Sequence, residues 1–171
     1  MTLEKRFQSV GIKPDGSKIG GVAIPYNVET RVGGLRELVR PGAFRASLGG
    51  SQDVLALVNH DPRSLLARTR GDSLRFTDTP EALLFELDLP DTPSAAEVRG
   101  LAEAGSLGGV SIGFVVERGG ERRANGLREI VEARLVEISL ISAFPAYSGT
   151  SAALRDATPR LNRAAQRARV L

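Results

Sequence analysis

The sequence contains no cysteine and no tryptophan, and it has a single histidine. Without thiols, disulfides, zinc–thiolate sites and cysteine nucleophiles are excluded. Aromatic residues make up only 5% of the chain, fewer than a single-strand nucleic-acid binder that stacks bases usually carries. The acidic residues lack the spacing of a calcium loop, and no phosphate-binding glycine motif occurs. We therefore expect a protein that uses neither a metal ion nor a cofactor.

Long apolar stretches are also missing from the chain. No apolar run approaches the ~20 residues that a membrane-spanning helix needs. The segment 7–15 is too polar for the apolar core of a signal peptide. These patterns predict an intracellular protein with no signal peptide and no membrane partner.

The net charge of +3 is unevenly distributed, because five arginines and one aspartate lie from Arg155 onward. The positive charge therefore belongs to the C-terminal tail, and the nearly neutral body makes nucleic acid an unexpected partner. Nucleic-acid association stays an alternative that predicts salt-sensitive binding through Arg160, Arg163 and Arg167. Length and composition favour one domain over residues 1–150 followed by a basic Ala/Arg-rich tail over 151–171.

Hydrophobic periodicity predicts an α+β chain that is mostly β, organised as a small barrel or sandwich with attached helices. The clearest helix covers 92–104, with Pro93 in its first turn and Ser94 and Glu97 at capping-box spacing. Strands are predicted at residues 5–13, 18–24, 37–39, 54–58, 65–70, 73–77, 83–89, 108–114, 127–133 and 136–140. Other predictions are a turn at 14–16, a bulge at 20–21, loops at 28–34 and 117–126, and short helices at 41–48 and from 158.

The stretch 108–114, Gly-Gly-Val-Ser-Ile-Gly-Phe, is the first candidate for chemistry. Large apolar residues alternate in it with Ser111 and Gly113, the period of a half-buried strand. Ser111 thus faces small neighbours, which leaves room for a substrate carbonyl beside a nucleophilic hydroxyl. The same pattern fits an ordinary small serine in a strand.

His60 is the only side chain that can serve as an imidazole base for Ser111. It follows the apolar strand 54–58, where residues at a strand end reach a surface site. The alternative is an exposed loop histidine beside the Asp61-Pro62 turn.

Glu137 is the candidate for a third group that orients the imidazole. It is a carboxylate in an otherwise apolar strand, and a buried charge there needs a partner. The alternative places it on a solvated face with Ser139. Weaker competing carboxylates are Asp61, which points poorly at the adjacent ring of His60, and Glu86 and Asp88.

Five motifs in this order and spacing make residues 5–150 resemble the prohead (procapsid maturation) proteases of tailed phages. They cover residues 20–26, 37–44, 58–62, 108–114 and 135–141, the last followed by Pro-Ala-Tyr at 145–147. The resemblance implies a serine endopeptidase with a fold related to herpesvirus assemblins, a small β-barrel with a few peripheral helices. It implies His60 as general base, Ser111 as nucleophile and Glu137 as the orienting acid. Val110 departs from the pattern, since many relatives are expected to have Met there.

The resemblance also implies a biological role in the maturation of phage heads or of gene-transfer particles. The expected substrates are the scaffold protein or a scaffold-like segment of the major capsid protein, together with the protease itself. The expected location is the immature capsid in the host cytoplasm, and a homo-oligomer is expected. The basic tail is interpreted as a docking segment for an acidic scaffold or as a piece removed by self-cleavage. The alternative function is that of a non-catalytic structural or scaffolding relative with the same fold.

Overall fold

The computed structural model describes residues 1–8 and 12–142, which form thirteen strands and two α-helices. In chain order these are β1 Glu4–Gln8, β2 Lys13–Asp15, β3 Lys18–Pro25, β4 Thr30–Val32, β5 Leu35–Val39, α1 Arg45–Leu48, β6 Leu55–Val58, β7 Asp61–Arg68, β8 Leu74–Asp78, β9 Ala82–Asp88, α2 Pro93–Glu103, β10 Gly109–Val116, β11 Glu121–Ala124, β12 Leu127–Ile130 and β13 Ala133–Ile141. The predicted tail and the helix from residue 158 lie outside the described residues.

The strands form three sheets. The largest has five strands in the order β1-β10-β13-β6-β7, and two four-stranded sheets have the orders β11-β12-β5-β4 and β2-β3-β9-β8. Most neighbours are antiparallel, whereas β13 with β6 and β12 with β5 are parallel. The mostly β class is confirmed. The part of the chain that the structure describes contains three open sheets and no closed barrel.

The helix prediction holds for α2, whose apolar stripe of Ala95, Val98 and Ala102 is buried. Its N-cap differs from the predicted Ser94–Glu97 box, because the Thr92 hydroxyl accepts the Ala95 N–H at 3.3 Å. A threonine directly before the proline at the first helical position satisfies one of the free N–H groups. The short helix predicted at 41–48 is reduced to α1, which is followed by Gly49.

Several predicted strand boundaries are wrong. The single strand 5–13 is two elements that pair with different sheets, β1 with β10 and β2 with β3. The β2–β3 turn lies at residues 16–17, and the bulge on β3 lies between Val22 and Ile24 rather than at the paired glycines. The predicted loops 28–34 and 117–126 contain the short polar strands β4 and β11, which form edges of one sheet.

The main core lies against one face of the five-stranded sheet. Val110, Ile112 and Phe114 are fully buried on alternate positions of β10, and the Phe114 ring packs edge-on against Phe44 at 5.8 Å between centroids. The intervening residues of β10 therefore face the other side of the sheet. No helix in residues 1–8 and 12–142 is long and apolar enough to cross a membrane.

An ion network joins the edge strand β1 to the sheet of β5 and β12. Glu37 is 3% exposed and accepts hydrogen bonds from Arg6 Nε at 2.6 Å and from Arg128 Nη1 at 2.8 Å. Arg128 also donates two bonds of 2.7 Å to Glu4. The Arg6 guanidinium lies over the Phe114 ring, 5.3 Å from its centroid. These contacts hold β1 in register beside β10, the strand that carries Ser111.

Candidate active site

Ser111 is the third residue of β10 and is only 3% exposed. It pairs with Phe7 of β1 on one side and with Ser139 of β13 on the other. Residues directly opposite in a ladder project to the same face of the sheet. The hydroxyl of Ser111 therefore shares its face with a second serine, on the side away from the apolar core.

Glu137 lies on that same face, two residues before Ser139 on β13. It is 6% exposed, and its direct partner on β10 is Gly113. The solvated position considered for this carboxylate is therefore wrong: it is buried in the sheet and needs a polar partner.

His60 occupies a two-residue turn between β6 and β7. Asn59 and His60 both have left-handed backbones, with φ of 50° and 62°, the signature of a tight hairpin turn. The Asn59 side chain holds the turn against the end of β13, because its Nδ2 donates to Ser142 Oγ at 2.6 Å and its Oδ1 accepts the Ser142 N–H at 3.0 Å. The turn thus places the imidazole over β13, the central strand of the sheet.

The imidazole of His60 and the carboxylate of Glu137 form a close pair, with 2.6 Å between Nδ1 and Oε1. An ionised carboxylate can only accept, so the proton of a neutral imidazole stays on Nδ1 and its Nε2 carries the free lone pair. The exposed-loop alternative for His60 is wrong, since its side chain is 19% exposed and touches a buried acid. This contact fixes the orientation of the His60 ring and, for a neutral imidazole, its tautomer.

A lysine ammonium group approaches the same carboxylate oxygen from β1. Lys5 Nζ is 4.0 Å from Glu137 Oε1, and the Lys5 side chain is 43% exposed. The sheet face that carries Ser111 on β10 therefore also holds residues of β1, β13 and the β6–β7 turn. Among the residues that the structure describes, no hydrogen bond joins the Ser111 hydroxyl to His60.

The competing carboxylates lie elsewhere. Asp61 accepts the backbone N–H and the guanidinium of Arg63. Glu86 and Asp88 pair with Arg75 on the exposed surface of β9. In residues 1–8 and 12–142, no group of three or more His, Asp or Glu side chains could hold a metal ion.

Three site residues escaped the sequence reasoning. Ser139 was considered only as a neighbour of Glu137, yet its hydroxyl accepts the His60 backbone N–H at 3.2 Å. Gly113 faces Glu137, and Asn59 anchors the turn. The only available signal was local, an asparagine before the histidine, which tolerates the left-handed backbone of such turns.

A buried serine, an imidazole and a carboxylate placed around one sheet are the side-chain types of serine hydrolases. The family model of the Caudovirus prohead serine proteases matches residues 5–162, and the chain belongs to this serine protease family. No curated protein and no solved structure gives a significant match.

Proposed function

We propose that the chain is a serine endopeptidase in which Ser111 is the nucleophile, His60 the general base and Glu137 the acid that orients it. The observation that carries the proposal is the 2.6 Å pair between His60 and Glu137 on the sheet face that Ser111 shares. Membership of the prohead serine protease family supports the same assignment.

In the proposed reaction, Ser111 Oγ attacks the carbonyl carbon of a peptide bond while its proton moves to His60 Nε2. Collapse of the tetrahedral intermediate breaks the C–N bond, and the leaving amine takes that proton. Water then attacks the acyl-enzyme and gives a proton to Nε2. Collapse of the second tetrahedral intermediate breaks the C–Oγ bond, Nε2 returns its proton to Ser111 Oγ, and the new peptide acid leaves and ionises to a carboxylate. Glu137 keeps Nδ1 protonated and stabilises the imidazolium in both halves.

Backbone N–H groups are expected to stabilise the oxyanion. The glycine turn before Ser111 and the loop after Leu140 are two candidate sources of such groups. The Gly108 N–H already donates to the Ile141 carbonyl at 2.7 Å, and the Ser142 N–H donates to Asn59. Neither of these two N–H groups is free to bind an oxyanion in this arrangement. The proposed oxyanion donors are therefore backbone N–H groups of neighbouring residues.

The proposed substrates are the scaffold protein or a scaffold-like segment of the major capsid protein, cleaved inside the immature capsid, together with the protease itself. A domain ending near residue 150, a homo-oligomer and a fold relationship to the herpesvirus assemblins remain predictions. The test is co-expression of the wild type or Ser111→Ala with the capsid protein, followed by intact mass spectrometry.

Trimming of the capsid protein by the wild type and its loss in Ser111→Ala is the expected result. Ser47→Ala is the control variant, because it removes another buried hydroxyl and leaves the proposed nucleophile and its sheet face unchanged. Equal masses with all three proteins, in assembled particles as well, would favour the structural alternative.

A further inference from the structure

We propose that Ser139 is a positioning residue that holds His60 in its working orientation. The observation is the hydrogen bond of 3.2 Å from the His60 backbone N–H to Ser139 Oγ. This inference rests on the proposed function, because it concerns the histidine assigned there as the base. It assigns Ser139 no contact with substrate.

The backbone of His60 needs such a support. Its φ of 62° lies in the left-handed region, which a non-glycine residue occupies only when its surroundings over-determine it. Asn59 secures the first half of the turn, through its side chain and through its N–H on the Leu140 carbonyl at 3.0 Å. The second half is secured by Ser139, so the direction of the imidazole depends on that hydroxyl.

Ser139 is buried in the central strand that also carries Glu137, which fixes its hydroxyl relative to His60. Ser139 is 0% exposed, so its oxygen does not compete with surface water as the acceptor of the His60 N–H. It pairs directly with Ser111 and lies two residues after Glu137 on the same face of β13. One rigid strand therefore carries both contacts to His60: the carboxylate that meets Nδ1 and the hydroxyl that meets the backbone. Sites whose residues are held by packed strands keep their geometry better than sites on free loops.

The single histidine of the chain allows a direct test in solution. The imidazole resonances of the full-length protein belong to His60 alone, and we expect a proton between Nδ1 and Glu137 to give a low-field signal. Ser139→Ala and the near-isosteric Ser139→Cys both remove the oxygen acceptor. We expect both to weaken or abolish the low-field signal and to slow labelling of Ser111 by a fluorophosphonate about ten- to a hundredfold.

Ser47→Ala is the matched control, because Ser47 is another buried serine whose hydroxyl accepts a backbone N–H, that of Leu135 at 3.1 Å. It should lower the unfolding midpoint yet leave the signal and the labelling rate unchanged. A folded Ser139→Ala or Ser139→Cys protein with the wild-type signal and labelling rate would overturn the proposal. If instead Ser111 is never labelled while the His60 signal still depends on Ser139, the proposed function fails and the positioning role stands.

Discussion

Gly113 lies directly opposite Glu137 on neighbouring strands, and the space left by its missing side chain is filled by the carboxylate arm. A Cβ at position 113 would lie 2.6 Å from Glu137 Cγ and 2.8 Å from Oε1. These distances are far shorter than an ordinary carbon contact of about 3.5–4.0 Å. Glycine is therefore required here by a close approach that serves the site.

Gly113→Ala should displace the Glu137 side chain from His60 and lower the rate of Ser111 labelling about tenfold or more, since small misplacements are costly in catalysis. Gly100→Ala in α2 is the control, because an added Cβ there meets nothing within 4 Å. The control should keep full activity and gain about 0.5–1 kcal/mol in stability. Equal activity of the two variants would show that the carboxylate does not need this space.

Glu137→Gln keeps the shape of the side chain and removes its charge. An amide neither stabilises the imidazolium nor enforces the Nδ1 tautomer, so we expect activity to fall about a thousandfold or more. Glu86→Gln is the control, as it neutralises an exposed carboxylate on β9 that pairs with Lys18 and Arg75. Rates of capsid-protein cleavage and of fluorophosphonate labelling check both variants, and near wild-type rates for Glu137→Gln would remove it from the proposed mechanism.

The buried ion network that joins β1 to β5 and β12 is expected to stabilise the fold. Glu37→Ala removes the more buried of the two carboxylates that Arg6 and Arg128 share, and Glu4 remains as the other. It should destabilise the protein by about 3 kcal/mol in denaturant unfolding, the lower end for a broken buried ion pair. Glu29→Ala breaks the exposed ion pair with Arg36 and should leave the unfolding midpoint within experimental error. Similar losses in both variants would contradict the importance assigned to burial.

The free energy of unfolding at acidic pH is expected to depend on the ionisation of Glu4. Hydrogen bonds from Arg128, ahead of those from Arg6 and against the effect of burial, lower the pKa of Glu4 from 4.5 to about 2. Because the folded-state pKa lies below the unfolded value, the stabilisation is complete above pH 4.5 and disappears as the pH falls towards 2. The difference in unfolding free energy between wild type and Glu4→Gln should shrink over that window, and a difference independent of pH would refute the linkage.

The parts of the fold that depend on local pattern could be predicted from the sequence. The apolar stripe of α2 and the alternation in β10 are such signals, and both elements are where the pattern places them. The short polar strands β4 and β11 were missed, because their pairing in a sheet rather than their own composition makes them strands. The resemblance also led us to expect a closed barrel, and the described residues form open sheets instead. Sheet order and closure depend on contacts between distant segments, which no local pattern specifies.

The candidate site was likewise only partly predictable from the sequence. Ser111, His60 and Glu137 were identified by residue type and motif, and the structure brings two of them into contact. The roles of Gly113 and Ser139 depend on the register of β10 against β13, which includes a shift after Gly113. A displacement of one residue would move every side chain to the other face. No local sequence pattern specifies that register, so these supporting residues became visible only with the strand pairing.

The most direct test of the central claim is covalent labelling of the full-length protein with a fluorophosphonate, read by intact mass and peptide mapping. We expect one adduct, located on Ser111, which is lost in Ser111→Ala and formed far more slowly in His60→Ala. An adduct on another residue, or equal labelling of wild type and Ser111→Ala, would contradict the assignment of Ser111 as nucleophile.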